Sequence, residues 1–424
     1  MNTRPLRVTL GLLILALAGT ALAIWWSAHE GSLPPAADDQ PFTPTPQQIE
    51  RGAYLARAGN CAACHTTRGG APYAGGVGIT TPFGTVFSSN LTPDAATGLG
   101  QWSVADFWRA IHHGRSRSGE LLYPAFPYTS YTLVSRDDSD ALFAYLRSLK
   151  AVSRPNQPHT LDFPYRSQAA LAVWRALFFR PIEFQPESGQ SPEWNRGAYL
   201  VRGLGHCAEC HAQRNALGAT QAPQELRGGP MPLQHWYAPS LASTREAGVG
   251  QDDIEATIAL LKAGVAQGRS AMGPMAEVVY RSTQYLRDSD LRAIAVYLKD
   301  LPSIQTEARQ GATADQTAQF SDGKKVYSLH CAECHGEQGE GAKGAYAPLA
   351  GNRAVDLTTP TNLVQAVLNG GYAPATAANP RPYGMPPFRQ ILDDREVAAV
   401  LTYIRQAWGN AAPPVSALDV MQYQ

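Results

Sequence analysis

The chain has 424 residues, and 35 acidic residues balance 35 basic ones, so its formal net charge is zero. That length suits about two to four domains, and the neutral balance gives no reason to expect nucleic acid or an acidic substrate as a partner. Glycine (38) and proline (32) are frequent, while only 17% of residues are charged. This composition favours ordered loops around a bound group over long solvent-facing helices.

The first 28 residues predict a membrane-targeting segment. Two arginines precede an apolar run from Val8 to Trp26, which keeps the start of the chain in the cytoplasm and exports the residues after the run. The tripeptide Ala21-Leu22-Ala23 fits the cleavage site of a signal peptide. The length of the run and the pair Trp25-Trp26 favour an uncleaved membrane anchor, which we expect. Both alternatives export the rest of the chain.

Beyond residue 44 the same pattern occurs three times. A short helical stretch with a glycine precedes each pair of cysteines, and an amphipathic helix with a tyrosine ends each repeat. The glycines are Gly52, Gly197 and Gly323. The predicted closing helices are Asp137–Lys150, Arg287–Leu301 and Asp393–Trp408, with Tyr145, Tyr297 and Tyr403 at matching places. We interpret these glycines and tyrosines as packing residues where the two helices cross closely.

All six cysteines lie in three Cys-x-x-Cys-His motifs. Two cysteines at this spacing can each bond one vinyl group of a porphyrin, and the adjacent histidine then ligates the iron. A zinc half-site or a redox dithiol is the alternative for one such motif. Three half-sites cannot pair evenly, however, and a dithiol does not need the histidine. We therefore predict three covalent haem c groups. The attachment residues are Cys61, Cys64, Cys207, Cys210, Cys331 and Cys334, and the proximal ligands are His65, His211 and His335.

The predicted fold is all-α, with three tandem class I cytochrome c domains after an N-terminal membrane-targeting helix. We place the boundaries between these domains at proline-rich or polar stretches. The predicted segments are a signal peptide or anchor (1–28), a linker (29–44), domain 1 (45–150), a linker (151–190), domain 2 (191–303), a linker (304–318), domain 3 (319–409) and a tail (410–424).

Methionines before the second and third closing helices are candidate distal ligands of iron. Met385 lies in Gly-Met-Pro-Pro-Phe, 50 residues after its motif histidine, and Met275 follows a proline 64 residues after its own. A methionine held by proline on a loop suits this role. We prefer Met275 to Met272, for which core packing is the alternative, as it is for Met231.

The first repeat differs because it contains no methionine. Phe126 stands where the other repeats have methionine, and its side chain cannot ligate iron. His112 and His113, at the end of a predicted helix Ser103–His113, are the nearest candidates for the distal ligand of this haem. A surface position at the helix end is the alternative for both histidines.

Several further stretches resemble one protein family. They are Thr81-Pro-Phe-Gly-Thr, Ser88-Ser-Asn-Leu-Thr-Pro-Asp, Thr97-Gly-Leu-Gly-Gln-Trp-Ser, Arg196-Gly-Ala-Tyr-Leu-Val-Arg-Gly-Leu-Gly-His-Cys, Gly273-Pro-Met-Ala-Glu-Val-Val, Pro348-Leu-Ala-Gly-Asn-Arg-Ala-Val and Gly384-Met-Pro-Pro-Phe. Over residues 45–410 the chain resembles the triple-haem cytochrome c subunit of bacterial membrane-bound dehydrogenases that act on alcohols, gluconate or aldehydes.

This resemblance implies an electron-transfer subunit without substrate chemistry of its own. Its partner would be the catalytic subunit of a dehydrogenase, which is a quinoprotein, a flavoprotein or a molybdenum hydroxylase. The acceptor would be ubiquinone or a terminal oxidase. Many alcohol-type members have methionine at position 126, so Phe126 resembles subunits that serve molybdenum hydroxylases. The expected location is the periplasmic side of the bacterial inner membrane, anchored by the N-terminal helix.

Two other functions are consistent with three haems. A multihaem peroxidase would use the first haem as its catalytic site, and it would bind cyanide or CO there. A subunit of a haem–copper oxidase would co-purify with that oxidase. Two His/Met-ligated irons favour electron transfer over both alternatives, because this ligation leaves no open position.

Overall fold

The computed structural model describes residues 42–231, 233–250, 254–266, 268–304 and 318–423, together with Ala18, Gly19, Leu22, Ile24 and Trp25. The predicted targeting segment 1–28 therefore lies outside the described residues except at those five positions. Within these ranges, no helix is both long and apolar enough to span a bilayer. The described chain is mostly helical, as predicted, and its loops contain strands of two to four residues that the sequence did not predict.

Each repeat begins with an opening helix, continues through a short motif helix and a middle helix, and ends with a closing helix. The opening helices are Pro46–Ala58, Pro192–Tyr199 (extended by a π-turn, Leu200–Leu204) and Gln319–His330. The motif helices are Cys61–His65, Ala208–His211 and Ala332–His335, and the middle helices are Val104–His113, Ile254–Ala263 and Thr361–Asn369. The closing helices are Arg136–Ser148, Asp288–Lys299 and Asp394–Gln406.

The remaining elements lie in the connections between these helices. The helices among them are Tyr128–Tyr131, Gln168–Phe178, Gly273–Arg281, Ala417–Met421 and the 3₁₀ turn Thr283–Tyr285. The strands, all antiparallel, are Gly78–Thr81, Gly84–Phe87 and Thr160–Leu161 in one sheet, and the pairs Gly229–Met231 with Trp236–Ala238, Val265–Ala266 with Arg269–Ser270, and Gly371–Tyr372 with Gly384–Met385.

Opening and closing helices cross at a glycine in all three repeats, which confirms the packing role predicted for it. A β-carbon on Gly52, Gly197 or Gly323 would overlap a backbone carbonyl of the closing helix. It would also lie 2.8–2.9 Å from the β-carbon of the tyrosine one turn later. The carbonyls belong to Ala141, Ala293 and Ala399, and the tyrosines are Tyr145, Tyr297 and Tyr403.

An ion pair secures this crossing in the first two repeats. The residue before the glycine is arginine, and it pairs with the third residue of the closing helix: Arg51 with Asp138, and Arg196 with Asp290 through two contacts of 2.8 Å. In the third repeat the corresponding residue is Asp322, which instead pairs with Lys325. These pairs were not predicted from the sequence, although each arginine directly precedes its glycine.

The described chain divides into two compact units. The first contains residues 1–56 and 64–185, and the second contains residues 57–63 and 186–424. The segment 151–190 was predicted to be a linker, but much of it folds with the first unit. Thr160–Leu161 pairs with Gly84–Phe87, and the helix Gln168–Phe178 buries Leu171. The prolines of this segment are typical of a linker, but the apolar stretch between them is long enough to form a helix.

The predicted tail also belongs to the fold. Val415 and Val420 are buried in a cluster with Leu401 of the third closing helix, and Ala417–Met421 packs on that helix. Ser416 caps this last helix in a capping box with Asp419. A serine followed three residues later by an acidic residue was the signal that could have predicted it.

Candidate haem sites

The three motif histidines share one hydrogen bond. Nδ1 of His65 lies 2.7 Å from the carbonyl oxygen of Ser89, and the corresponding distances are 2.8 Å from His211 to Pro239 and 2.9 Å from His335 to Ala347. A carbonyl oxygen only accepts, so each Nδ1 carries the proton and donates. The lone pair therefore resides on Nε2, which is the tautomer that ligates a metal.

A second bond fixes each histidine through its own backbone. The carbonyl of His65 accepts from the N–H of Gly75, that of His211 from Gly228 and that of His335 from Gly341, all at 2.8 Å. These glycines have φ values of 70°, 75° and 66°, a conformation that other L-residues adopt only at a cost. They were not predicted from the sequence, because they lie at different distances, 6 to 17 residues, from their histidines.

Burial keeps the three imidazoles neutral. Desolvation lowers the pKa of His65, His211 and His335, and the hydrogen bond to the backbone carbonyl only partly opposes it. The neutral ring is the form that binds iron. Two fixed bonds, a free Nε2 and a pair of cysteines on the preceding turn therefore fit covalently bound haem at each motif. A bound haem c supplies an iron that exchanges one electron at a time.

The zinc alternative gains no support from the geometry. In the part of the chain that the structure describes, which includes all six cysteines, no three His, Cys, Asp or Glu side chains converge as a metal site. A structural zinc needs four such ligands around one ion.

In the third repeat, Met385 lies on a strand that pairs with Gly371. Its half-buried side chain packs against a core cluster that includes Val364, Phe388 and Leu401. This cluster contains residues of both the middle and the closing helix of the repeat. Met385 is therefore held by the same helices that frame the third motif.

In the second repeat, the two methionines occupy different elements. Met275 is half-buried in the first turn of the helix Gly273–Arg281, while Met272 lies in extended backbone just before it. The methyl carbon of Met272 would lie 3.9 Å from a β-carbon on Gly371, the strand partner of Met385. The methionine segments of the second and third repeats are thus in contact.

Other bonds hold the second and third repeats together within their unit. The side chain of Asn362 donates to the carbonyl of Tyr237 at 2.8 Å and accepts from its N–H at 2.9 Å. The guanidinium of Arg353 donates to the carbonyls of Thr244 and Gly248 at 2.8 and 3.0 Å. Both residues satisfy backbone groups that the second repeat would otherwise leave unpaired, so the two repeats form one packed body.

In the first repeat, Phe126 makes an edge-to-face contact with Tyr131, at 5.4 Å between ring centroids. His112 is buried, stacks on Trp108 and hydrogen-bonds the backbone of Thr132. The alternative of a surface position therefore does not apply to His112. The structure places Phe126 and these histidines in the same compact unit.

His113 is half-buried and meets the edge of the His112 ring. Among the described residues, its Nδ1 is a buried atom with no hydrogen-bond partner. Desolvation, followed by the charges of His112 and three arginines, lowers the pKa of His113 to about 4. A neutral ring nitrogen buried without a partner is uncommon in native proteins and calls for a ligand or a water.

Comparison with known proteins shows the family to which the chain belongs. The family described as "Cytochrome c" matches residues 49–150 and 320–408. The chain is 39% identical to the cytochrome c subunit of alcohol dehydrogenase (quinone) from Gluconacetobacter polyoxogenes, over 88% of this chain and 83% of that protein. It belongs to the family of cytochrome c subunits of dehydrogenases. The chain is thus an electron carrier with haem c rather than a catalytic subunit, as predicted.

Other members show the range of this family. The cytochrome subunit of fructose dehydrogenase from Gluconobacter japonicus is 34% identical, over 99% of this chain and 89% of its own length. A subunit of nicotinate dehydrogenase from Pseudomonas putida is 39% identical over 90% of this chain, which spans 32% of that protein. Similar cytochrome chains therefore serve dehydrogenases with different substrates.

The glycines that hold the motif histidines give a direct test. In Gly341→Ala the new β-carbon meets the carbonyl of Tyr346, whereas at Gly344, which also has positive φ, it meets nothing within 4 Å. We expect Gly344→Ala to cost about 1–2 kcal/mol in unfolding free energy for its backbone alone. Gly341→Ala should cost about 1–3 kcal/mol more, because the neighbouring chain must move.

The measurement is thermal unfolding of the haem-loaded chain, followed by circular dichroism and by haem absorbance. Gly341→Ala should also perturb the absorbance of one haem, since His335 depends on this glycine. Equal losses in the two variants, with unchanged haem absorbance, would contradict the role given to Gly341.

Proposed function

We propose that the chain carries three covalent haem c groups and relays electrons from a dehydrogenase catalytic subunit to ubiquinone or a terminal oxidase. The observation that carries the proposal is the triple repetition of one histidine geometry, with Nδ1 donating to a carbonyl and Nε2 left for iron. The contact between the methionine segments of the second and third repeats also supports it. Electron transfer requires such closely packed sites.

The location that we propose is the periplasmic side of the bacterial inner membrane. The apolar run from Val8 to Trp26 supports it, because covalent haem attachment and that run both suit an exported chain. The catalytic partner would be a quinoprotein, a flavoprotein or a molybdenum hydroxylase. Relatives that serve alcohol, fructose and nicotinate dehydrogenases support this set of partners.

The decisive experiment is isolation of the tagged full-length chain from its own bacterial membranes in mild detergent. We expect a dehydrogenase subunit to co-purify, its substrate to reduce the haems, and a water-soluble ubiquinone analogue to reoxidise them. Co-purification with a haem–copper oxidase alone would contradict the dehydrogenase partner. Peroxide turnover with CO binding to one haem in three would favour a peroxidase.

Met275 and Met385 are the proposed distal ligands of the second and third haems. Replacing Met275 by alanine should open the second iron, so that one haem per chain binds CO and its reduction potential falls. Met272→Ala is the matched control, since that methionine lies three residues away and faces Gly371. CO titration and redox potentiometry of both variants test this assignment. If Met272→Ala binds CO and Met275→Ala does not, the distal ligand is Met272.

For the first haem we propose His113 as the distal ligand, ahead of His112. Nδ1 is buried without a hydrogen-bond partner in both rings, but the ring of His112 already bonds the backbone of Thr132, which supports the choice of His113. In His113→Leu the first haem should become high-spin and bind CO. His112→Leu should leave it low-spin, as judged by electron paramagnetic resonance. If neither variant changes the spin state, neither histidine is the ligand.

A further inference from the structure

Apart from Gln168 at its start and the buried Arg175, the helix Gln168–Phe178 consists of apolar residues. Its inner face buries Leu171 and Arg175, and its outer face carries Val173 and Leu177, which are 40% and 62% exposed. Arg175 is the only charged residue of the helix, and it is fully buried, with its guanidinium over the ring of Phe179. The outer face therefore carries no charge. A helix that is apolar all round normally lies inside a protein or in contact with lipid.

The segments on either side of this helix continue the apolar surface. Phe163 is 79% exposed and Ile182 is 54% exposed. Within the helix, the rings of Trp174 and Phe178 lie 5.5 Å apart and are half-buried. The charged residues lie beyond the ends of the helix: Asp162, Arg166, Arg180 and Glu183. Aromatic side chains beside an uncharged apolar face, with charges only at the ends, are typical of the interface between lipid and water.

The end of the N-terminal apolar run lies against this helix. Ile24 packs on a buried cluster that contains Leu121, Leu171 and Ala172. Ile24 falls near the end of the run Val8–Trp26, where the chain would leave the bilayer on its exported side. Leu171 belongs to the inner face of the helix. Its contact with Ile24 therefore keeps the helix near the membrane surface where the chain would leave the bilayer. This continuity favours lipid over a protein partner as the occupant of the outer face.

We propose that the outer face of Gln168–Phe178 lies in the headgroup region of a phospholipid bilayer and forms a second membrane contact, distinct from the N-terminal segment. The helix lies along the membrane surface, with Val173 and Leu177 inserted by roughly 5–10 Å. The first domain is thereby held in a fixed orientation on the membrane. This inference rests on the membrane location within the proposed function, but not on the electron relay.

The test uses the haem-loaded full-length chain in vesicles of phosphatidylethanolamine and phosphatidylglycerol. A nitroxide label on Leu177→Cys reports depth, because oxygen concentrates in the bilayer while a nickel chelate stays in water. Asp137→Cys, exposed on the first closing helix, is the control. The label at position 177 should collide more with oxygen than with nickel, and the label at 137 should do the reverse. Adding Val173→Asp should abolish the oxygen preference at 177.

Two results would overturn the proposal. Free access of nickel to the label at 177 would show that the outer face is solvated. Protection from both oxygen and nickel would show that protein covers it, either the N-terminal segment or a dehydrogenase subunit. An unchanged haem spectrum in each variant verifies folding. If the unsubstituted chain takes up the label, its native cysteines have free thiols and are not bonded to haem. That result would count against the proposed function.

Discussion

The close crossing of the opening and closing helices at a glycine is the constraint on which each candidate haem site depends. The carbonyl of Ala141, Ala293 or Ala399 occupies the space that a side chain would need. The opening helix leads directly into the cysteines, so this crossing sets where the motif begins. The ring and backbone bonds of the histidine then set its orientation. Helix packing and hydrogen bonds thus fix the protein side of the site, so that the imidazoles are pre-organised for iron.

The three repeats share this frame but differ in their surroundings. The first two add a partly buried ion pair at the crossing, whereas the corresponding residue of the third, Asp322, pairs with Lys325. The second and third repeats exchange side-chain bonds to backbone groups and bring their methionine segments together. The first has no methionine and instead carries the buried His112 beside the half-buried His113. These differences give each site its own environment, and reduction potential depends on the axial ligand and on burial.

Much of this organisation could be predicted from the sequence, because it follows from local patterns. The motifs, the glycine–tyrosine crossings and the closing helices depend on spacing within a few turns, and the helices lie within two residues of prediction. The partners Ser89, Pro239 and Ala347 could not be predicted, since loops of different lengths carry them to the histidines. The sequence predicts a linker and a tail where the structure has the helices that bury Leu171 and Val420, because prolines and a chain end are both typical of irregular segments.

The most direct test of the account is a spectroelectrochemical titration of the haem-loaded full-length chain, with haem absorbance read against the electrons consumed. One haem on each of the three Cys-x-x-Cys-His motifs predicts the uptake of three electrons per chain. We also expect the reduction potential of the first haem to differ from those of the other two, because Phe126 stands where the other repeats have methionine. Uptake of two electrons or fewer, or a single potential for all centres, would contradict three haems with distinct ligation.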